Sequence, residues 1–273
     1  MNNQKPIFAF WKTVMKLKHI LIFIYLFVSV AQVRVSAQVN AQVNDSIDKP
    51  DVIPMIFPSY AFQWPGGDLA DRFGVSSTIG AGFLTKTEGN WLFGFDANFI
   101  FGNRINEDSL LQNLLTSDGY VIGQEGQYAD VSLFERGFYT SAKFGKIIPI
   151  FGSNVNSGLM LLAGVGYIQH KIRIEVVNNT APQLNGDYKM GYDRFTDGFQ
   201  INQFVGYMHI GDSKLANFFI GFEILESWTQ NRRSMNFDTG RRDDKQRFDM
   251  LYGIKAGWII PFRQRMPEDF YYY

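Results

Sequence analysis

Between Trp91 and Gly102 the chain alternates without a break. Trp91, Phe93, Phe95, Ala97, Phe99 and Phe101 fall on one face, and Leu92, Gly94, Asp96, Asn98, Ile100 and Gly102 on the other. A period of two is the period of an extended chain, whose successive side chains point to opposite sides of a sheet. The pattern recurs near the C-terminus, where Phe248, Met250, Tyr252, Ile254, Ala256, Trp258, Ile260 and Phe262 share a face opposite Asp249, Leu251, Gly253, Lys255, Gly257 and Ile259. It recurs again over Ala216–Leu225 and over Phe73–Leu84, the latter placing Phe73, Val75, Ile79, Ala81 and Phe83 opposite Gly74, Ser76, Thr78, Gly80 and Gly82. Noisier segments at Val52–Trp64, Val131–Lys146, Leu159–Ile174 and Phe199–Ile210 bring the expectation to eight strands. The first is the least regular, because Pro54 and Pro58 each remove a ladder donor.

Which face points inward is a question of volume. Aromatic residues make up 16% of the chain and Phe alone contributes 26 residues. An eight-stranded barrel has an interior only just wide enough to be filled by side chains. Several strands with four to six bulky apolar residues on one face exceed that interior. Phe93, Phe95, Phe222 and Trp258 are therefore expected to face lipid, and closure would satisfy every backbone donor and acceptor there. The lumen then receives Asp96, Lys143, Glu223, Asp249 and Lys255, with Asn98, Gln200 and Asn202. Lys143 falls beside Asp96 on the neighbouring strand, and Glu223 beside Lys255. Desolvated charges must pair, so this face reads as a salt-bridged plug filling the barrel rather than a gate or proton relay. Trp91, Phe101, Trp228, Phe248, Trp258 and Phe262, at strand ends, suit interfacial girdles.

The connections alternate as well. Thr87–Asn90 and Gly211–Lys214 are tight turns and Pro149–Ser157 is moderate, whereas 65–72, 103–130, 176–198 and 229–246 are mostly longer. Short turns at one end and long loops at the other are the arrangement of an up-and-down outer-membrane barrel, with the turns periplasmic.

Residues 1–37 read as a signal peptide. Lys12, Lys16 and Lys18 precede an apolar run from Ile20 to Val30, followed by a small-residue site ending at Ala37 or, alternatively, at Ala31. Residues 38–51 read as a disordered N-terminal segment, 52–262 as the barrel and 263–273 as a C-terminal tail. The run is short for a membrane-spanning helix, and after it no stretch of 18 apolar residues occurs. The formal charge of zero hides an excess of five bases in 1–37, so the remainder carries 21 basic against 26 acidic residues. That balance argues against nucleic-acid binding. With no cysteine, disulfides, thiolate chemistry and Cys-based zinc sites are excluded.

Taken together, Val52 to Phe262 resembles the small eight-stranded bacterial outer-membrane β-barrels of the OmpA/OmpX type, by pattern rather than by a specific motif. The resemblance implies outer-membrane lipid as surroundings. Lys255, Gly257, Ile260 and Phe262 resemble the terminal signal read by the barrel-insertion machinery, although the chain continues to Tyr273 where members of the family often end. An envelope protein partner is a further expectation.

Catalytic signals are sparse. His170, near the outer end of its strand, and His209, near a turn, are the histidines beyond the first segment, and no Ser lies within two residues of His170. No catalytic, cofactor or metal residues are assigned. Gly80-Ala81-Gly82 and Gly164-Val165-Gly166 lie inside strands without a following helix, so they read as relief of crowding rather than phosphate loops. Arg232, Arg233 and the Asp238–Asp244 run read as a solvated loop, the alternative being a site for a divalent cation or lipid phosphate. Leu110, Leu111, Leu114 and Leu115 have helical spacing and suggest a short amphipathic helix capping the barrel mouth. The expected function is a non-enzymatic structural, adhesive or scaffold barrel with a mostly filled lumen, with an accessory subunit of a secretion or assembly machine as a subtype. The alternatives are a narrow channel and a lipid-modifying enzyme.

Overall fold

A computed structural model of the chain describes residues 52–150, 155–211 and 216–262. The expected signal peptide, the segment before Val52 and the tail after Phe262 lie outside the described residues. The described chain forms eight long antiparallel strands: β1 (Ile53–Gly67), β2 (Ser76–Lys86), β3 (Trp91–Gly102), β4 (Val131–Ile148), β5 (Gly158–Val176), β6 (Thr196–His209), β7 (Phe218–Asn231) and β8 (Gln246–Trp258). Each pairs with its sequence neighbour, and β8 pairs back onto β1 from Ser59↔Gly257 to Gly67↔Asp249. The seam continues beyond β8 through Ile56↔Ile260 and Met55↔Pro261.

The ladder fixes the barrel's shape. From Ile53 the register passes through Lys86, Leu92, Gly145, Leu162, Phe204, Glu223 and Gly253 and returns to β1 at Gln63, ten residues further on. A shear of this size on eight strands implies a tilt of about 40° and a backbone radius of about 8 Å. Such a cylinder has no free edge and holds little more than its own side chains.

Parity decides the two surfaces. Phe93, Phe95, Phe222 and Trp258 all point away from the axis and are 43–60% exposed. They stand with Tyr60, Phe62, Ile79, Phe99, Val165, Ile220 and Ile254 in an exterior apolar belt. Such a belt is stable only against hydrocarbon, so the barrel spans a membrane. Trp91 stacks on Phe144 at 5.0 Å beneath the Lys146 ammonium, and Trp64 stacks on Tyr252 at 6.4 Å. Phe248, expected in the girdle, is buried beside Trp228, with ring centroids 5.6 Å apart.

Three local expectations change. Phe73 is not a strand residue. It is fully buried in the loop after β1 and bridges to Ile105. The amphipathic helix is a single 3-10 turn at Gln112–Leu114, because the chain must bend back for Leu115 to pair with Val121. β1 forms in full despite its prolines, and its pairing with β8 is interrupted around the outward-facing Pro58.

Candidate functional site: the lumen and its loop cap

The lumen is layered, whereas the sequence pattern predicts a narrow polar one. At the turn end, Ile53, Met55, Phe57, Leu84, Leu92, Ile147, Met160, Leu162, Phe204, Met208 and Phe219 form an apolar plug. Phe219 meets both Phe57 and Phe204 edge to face, at 5.2 and 5.6 Å. Gly206 and Gly221 face each other across β6 and β7, and a Cβ on either would come within 2.7 Å of the Phe204 ring. The glycines make room for the ring that closes this end.

Above the plug lies the charge layer. Lys143 Nζ reaches Asp96 Oδ2 at 2.8 Å and Glu223 Oε1 at 3.1 Å. Lys255 Nζ reaches the same two oxygens at 3.0 Å each. Two ammonium groups and two carboxylates thus alternate in a closed, neutral square, each side chain at most 4% exposed. The shear brings β3 and β4 face to face with β7 and β8 across the axis. The Tyr139 hydroxyl donates to Glu223 Oε2 at 2.9 Å, and Gln200 and Asn202 both donate to Ser141 Oγ. A void of about 10 Å³ separates square from plug, at the lower limit for one water.

Asp249 stands apart from this square. It lies nearer the loop end, where its Oδ2 accepts from Thr229 at 2.5 Å and sits 3.0 Å from His170 Nε2. His170 is buried, faces the lumen and is covered by the edge of Phe73. It has no route to the lipid face. Along β1 to β4, Ser59, Gln63, Ser76, Asn98 and Glu135 contribute buried polar atoms without a hydrogen-bond partner in the described protein.

The loop end is closed by a cap, as the leucines of the second long loop predict, and the Arg232–Asp244 loop, expected to be solvated, is part of it. Leu69, Phe73, Leu110, Leu111, Ala181, Leu184 and Tyr192 pack as a second apolar cluster over the mouth. Ion pairs lace the loops above it. Glu107 forms an ion pair with Arg72 at 3.2 Å and accepts a hydrogen bond from Arg194 Nε at 2.7 Å, and Arg194 also grips Asp238 with both terminal guanidinium nitrogens. All four loops meet in that chain of contacts. Arg233 is held by Asp193 at 2.5 Å, and Lys245 by Asp68 at 3.2 Å. The Arg232–Asp244 segment is therefore a clamp on its neighbours. Burial would raise the Asp238 carboxyl, but the Arg194 hydrogen bond and charge outweigh it and hold the group below its usual value. Asp243 is lowered in the same way by Arg247. Arg194 pays for its reach with a left-handed backbone, φ 50°.

Glu107, Arg72, Arg194 and Tyr139 were not singled out from the sequence. Tyr139 shares lumen parity with Ser141 and Lys143, which was the available signal. The loop arginines carried none. Among the described residues, no group of three or more His, Asp or Glu side chains is placed to hold a metal ion.

No protein-family model and no curated protein matches the chain. Among solved structures, three are similar to this chain over most of its length. The attachment invasion locus protein Ail of Yersinia pestis, solved in complex with the heparin analogue sucrose octasulfate, is 8% identical, with a TM-score of 0.40 over 77% of this chain and 99% of that one. Neisserial surface protein A is 12% identical, with a TM-score of 0.38 over 77% and 97%. OprG from Pseudomonas aeruginosa is 10% identical, with a TM-score of 0.34 over 80% and 98%. By its own closed register and apolar exterior, the chain is an eight-stranded transmembrane β-barrel of the outer-membrane type.

Proposed function

We propose that this barrel is a non-conducting platform of the outer membrane that works through its capped outer surface, as a structural, adhesive or scaffold component. The single observation that carries the reading is closure of the lumen at three levels: apolar plug, neutral charge square and laced loop cap. A path for solute would have to break all three. What remains to meet other molecules is the loop surface, including the exposed and stacked Tyr120 and Tyr128, 4.6 Å apart. The burial of His170 supports a non-enzymatic role. An accessory place in an envelope assembly is the narrower version, and a partner co-purifying in mild detergent would support it. Delivery to the membrane through the terminal strand around Lys255, Gly257, Ile260 and Phe262 belongs to the same proposal.

The test is planar-bilayer recording on the refolded barrel. No resolved current steps are expected. Reproducible steps would overturn the platform reading in favour of a narrow conduit. The unpartnered polar wall from Ser59 to Glu135 is what favours that second reading.

A further inference from the structure

The exterior of β4 and β5 changes character abruptly at its outer end. Reading outward, β4 presents Phe144, Ala142, Thr140, Phe138 and then Arg136, while β5 presents Leu161, Ala163, Val165, Tyr167, Gln169 and then Lys171 and Arg173. Arg136 and Lys171 are ladder partners, as are Phe134 and Arg173. Lys189, from the loop after β5, joins them around a recess of about 410 Å³ that also touches Phe99 and Asp193. The Arg136 guanidinium lies over the Phe134 ring at 4.9 Å and donates to the carbonyls of Glu135 and Gly102. Its stem covers apolar wall and its fork is preorganised.

The acids nearby leave this charge largely uncompensated. Asp193 is engaged by Arg233 through both carboxylate oxygens. Glu175 pairs with Arg173 at 2.7 Å, but both side chains are about half exposed, and such a pair is weak and easily exchanged. The wall of β6 and β7 differs at its outer end: there Asp197 takes the Arg232 guanidinium and the Tyr167 hydroxyl. Unneutralised cations are concentrated on one wall, directly beyond the apolar belt.

We propose that this wall is a binding site for the phosphate groups of an outer-leaflet glycolipid, held by Arg136, Lys171 and Lys189, with Arg173 at the upper margin. The inference rests on the barrel standing in a membrane. A cationic band just above hydrocarbon matches the anionic headgroup layer in sign and depth, and Arg offers a bidentate fork for phosphate. The lipid's acyl chains would lie along the Phe138–Tyr167 face.

The test uses the full barrel refolded in neutral phosphocholine micelles, titrated with bis-phosphorylated lipid A and with its dephosphorylated form and read by native mass spectrometry. The triple variant R136Q/K171Q/K189Q is expected to lose about 100-fold in affinity for the phosphorylated lipid, about fivefold per charge removed. The dephosphorylated lipid is expected to bind both proteins equally weakly. Wild-type affinity in the variant, or equal affinity of the wild type for both lipids, overturns the site. Displacement of the lipid by an equimolar amount of inorganic phosphate overturns the assignment to a lipid headgroup. If the triple variant fails to give the heat-modifiable band of a folded barrel, Lys171→Glu alone, on an exposed side chain, is expected to weaken binding at least fivefold, and no change would overturn the proposal. A wild-type barrel that does not enter liposomes would remove the membrane reading, a result separate from one that inserts and ignores phosphate.

Discussion

At the residue scale, the square of Asp96, Lys143, Glu223 and Lys255 behaves as a unit, because each charge touches two of opposite sign. Removing one leaves an uncompensated buried charge, with a cost of about 3–5 kcal/mol. Glu223→Gln is therefore expected to lower stability by about that amount in urea titrations of the refolded barrel. Adding Lys143→Met to it restores neutrality, so the double variant is expected to lose less than the sum of the singles. Strict additivity would show that the four do not act together. Phe204 makes a different kind of case. Phe204→Ala is expected to cost about 3–5 kcal/mol through lost packing, and Gly206→Val to destabilise by crowding the same ring, which the urea midpoint reads. His170→Ala is expected to leave the acylation pattern of the cell's lipid A unchanged by mass spectrometry, since the ring is sealed between Asp249 and Phe73. The lumen identities of these residues were legible from parity alone. The neighbour pairs Asp96–Lys143 and Glu223–Lys255 were legible too, from strand order; the contacts across the axis were not, since Asp96 and Lys255 are 159 residues apart in the chain.

At the element scale, strands and loops follow different logic. Each strand could be read from its own sequence, because alternation is a local property of an extended backbone with one greasy surface. β3 begins and ends where its pattern does, at Trp91 and Gly102. Phe73 misled for the same reason: alternation continues into the first loop, but a bulky apolar residue serves equally well as a cap over the mouth. The cap itself depends on Arg194, whose contacts reach Glu107 and Asp238. Arg194→Gly keeps the positive φ accessible while deleting the side chain. It is expected to speed proteolysis within the loops severalfold while leaving the barrel band intact on an unboiled gel. The clamp also depends on pH. The carboxyls of Asp238 and Asp243 are lowered on folding, so their contribution is full above the ordinary aspartate value of 3.8 and is lost as pH falls through the depressed folded values. Limited proteolysis is expected to accelerate only below about pH 4. Loosening between pH 5 and 7 would assign the effect to other groups.

At the scale of the whole molecule, closure converts a set of marginal ribbons into a body with no edge. The exterior belt needs hydrocarbon, and the interior is nearly full. Unboiled and boiled samples are therefore expected to migrate differently in gels, as folded and unfolded forms of a closed barrel do. Identical migration would mean that the strands do not close.

The amino-acid order is enough to set the number of strands, the face each one turns to lipid and the alternation of short turns with long loops. These follow from the parity of side chains and the volume of a narrow cylinder. Tertiary structure decided that the lumen is layered, that Asp249 pairs with His170, and that ion pairs lock all four long loops together over the mouth. Those outcomes depend on register and shear, which are set by the ring as a whole: ten residues of stagger carry β3 to meet β8, and no stretch of one strand records how far its neighbours have slid.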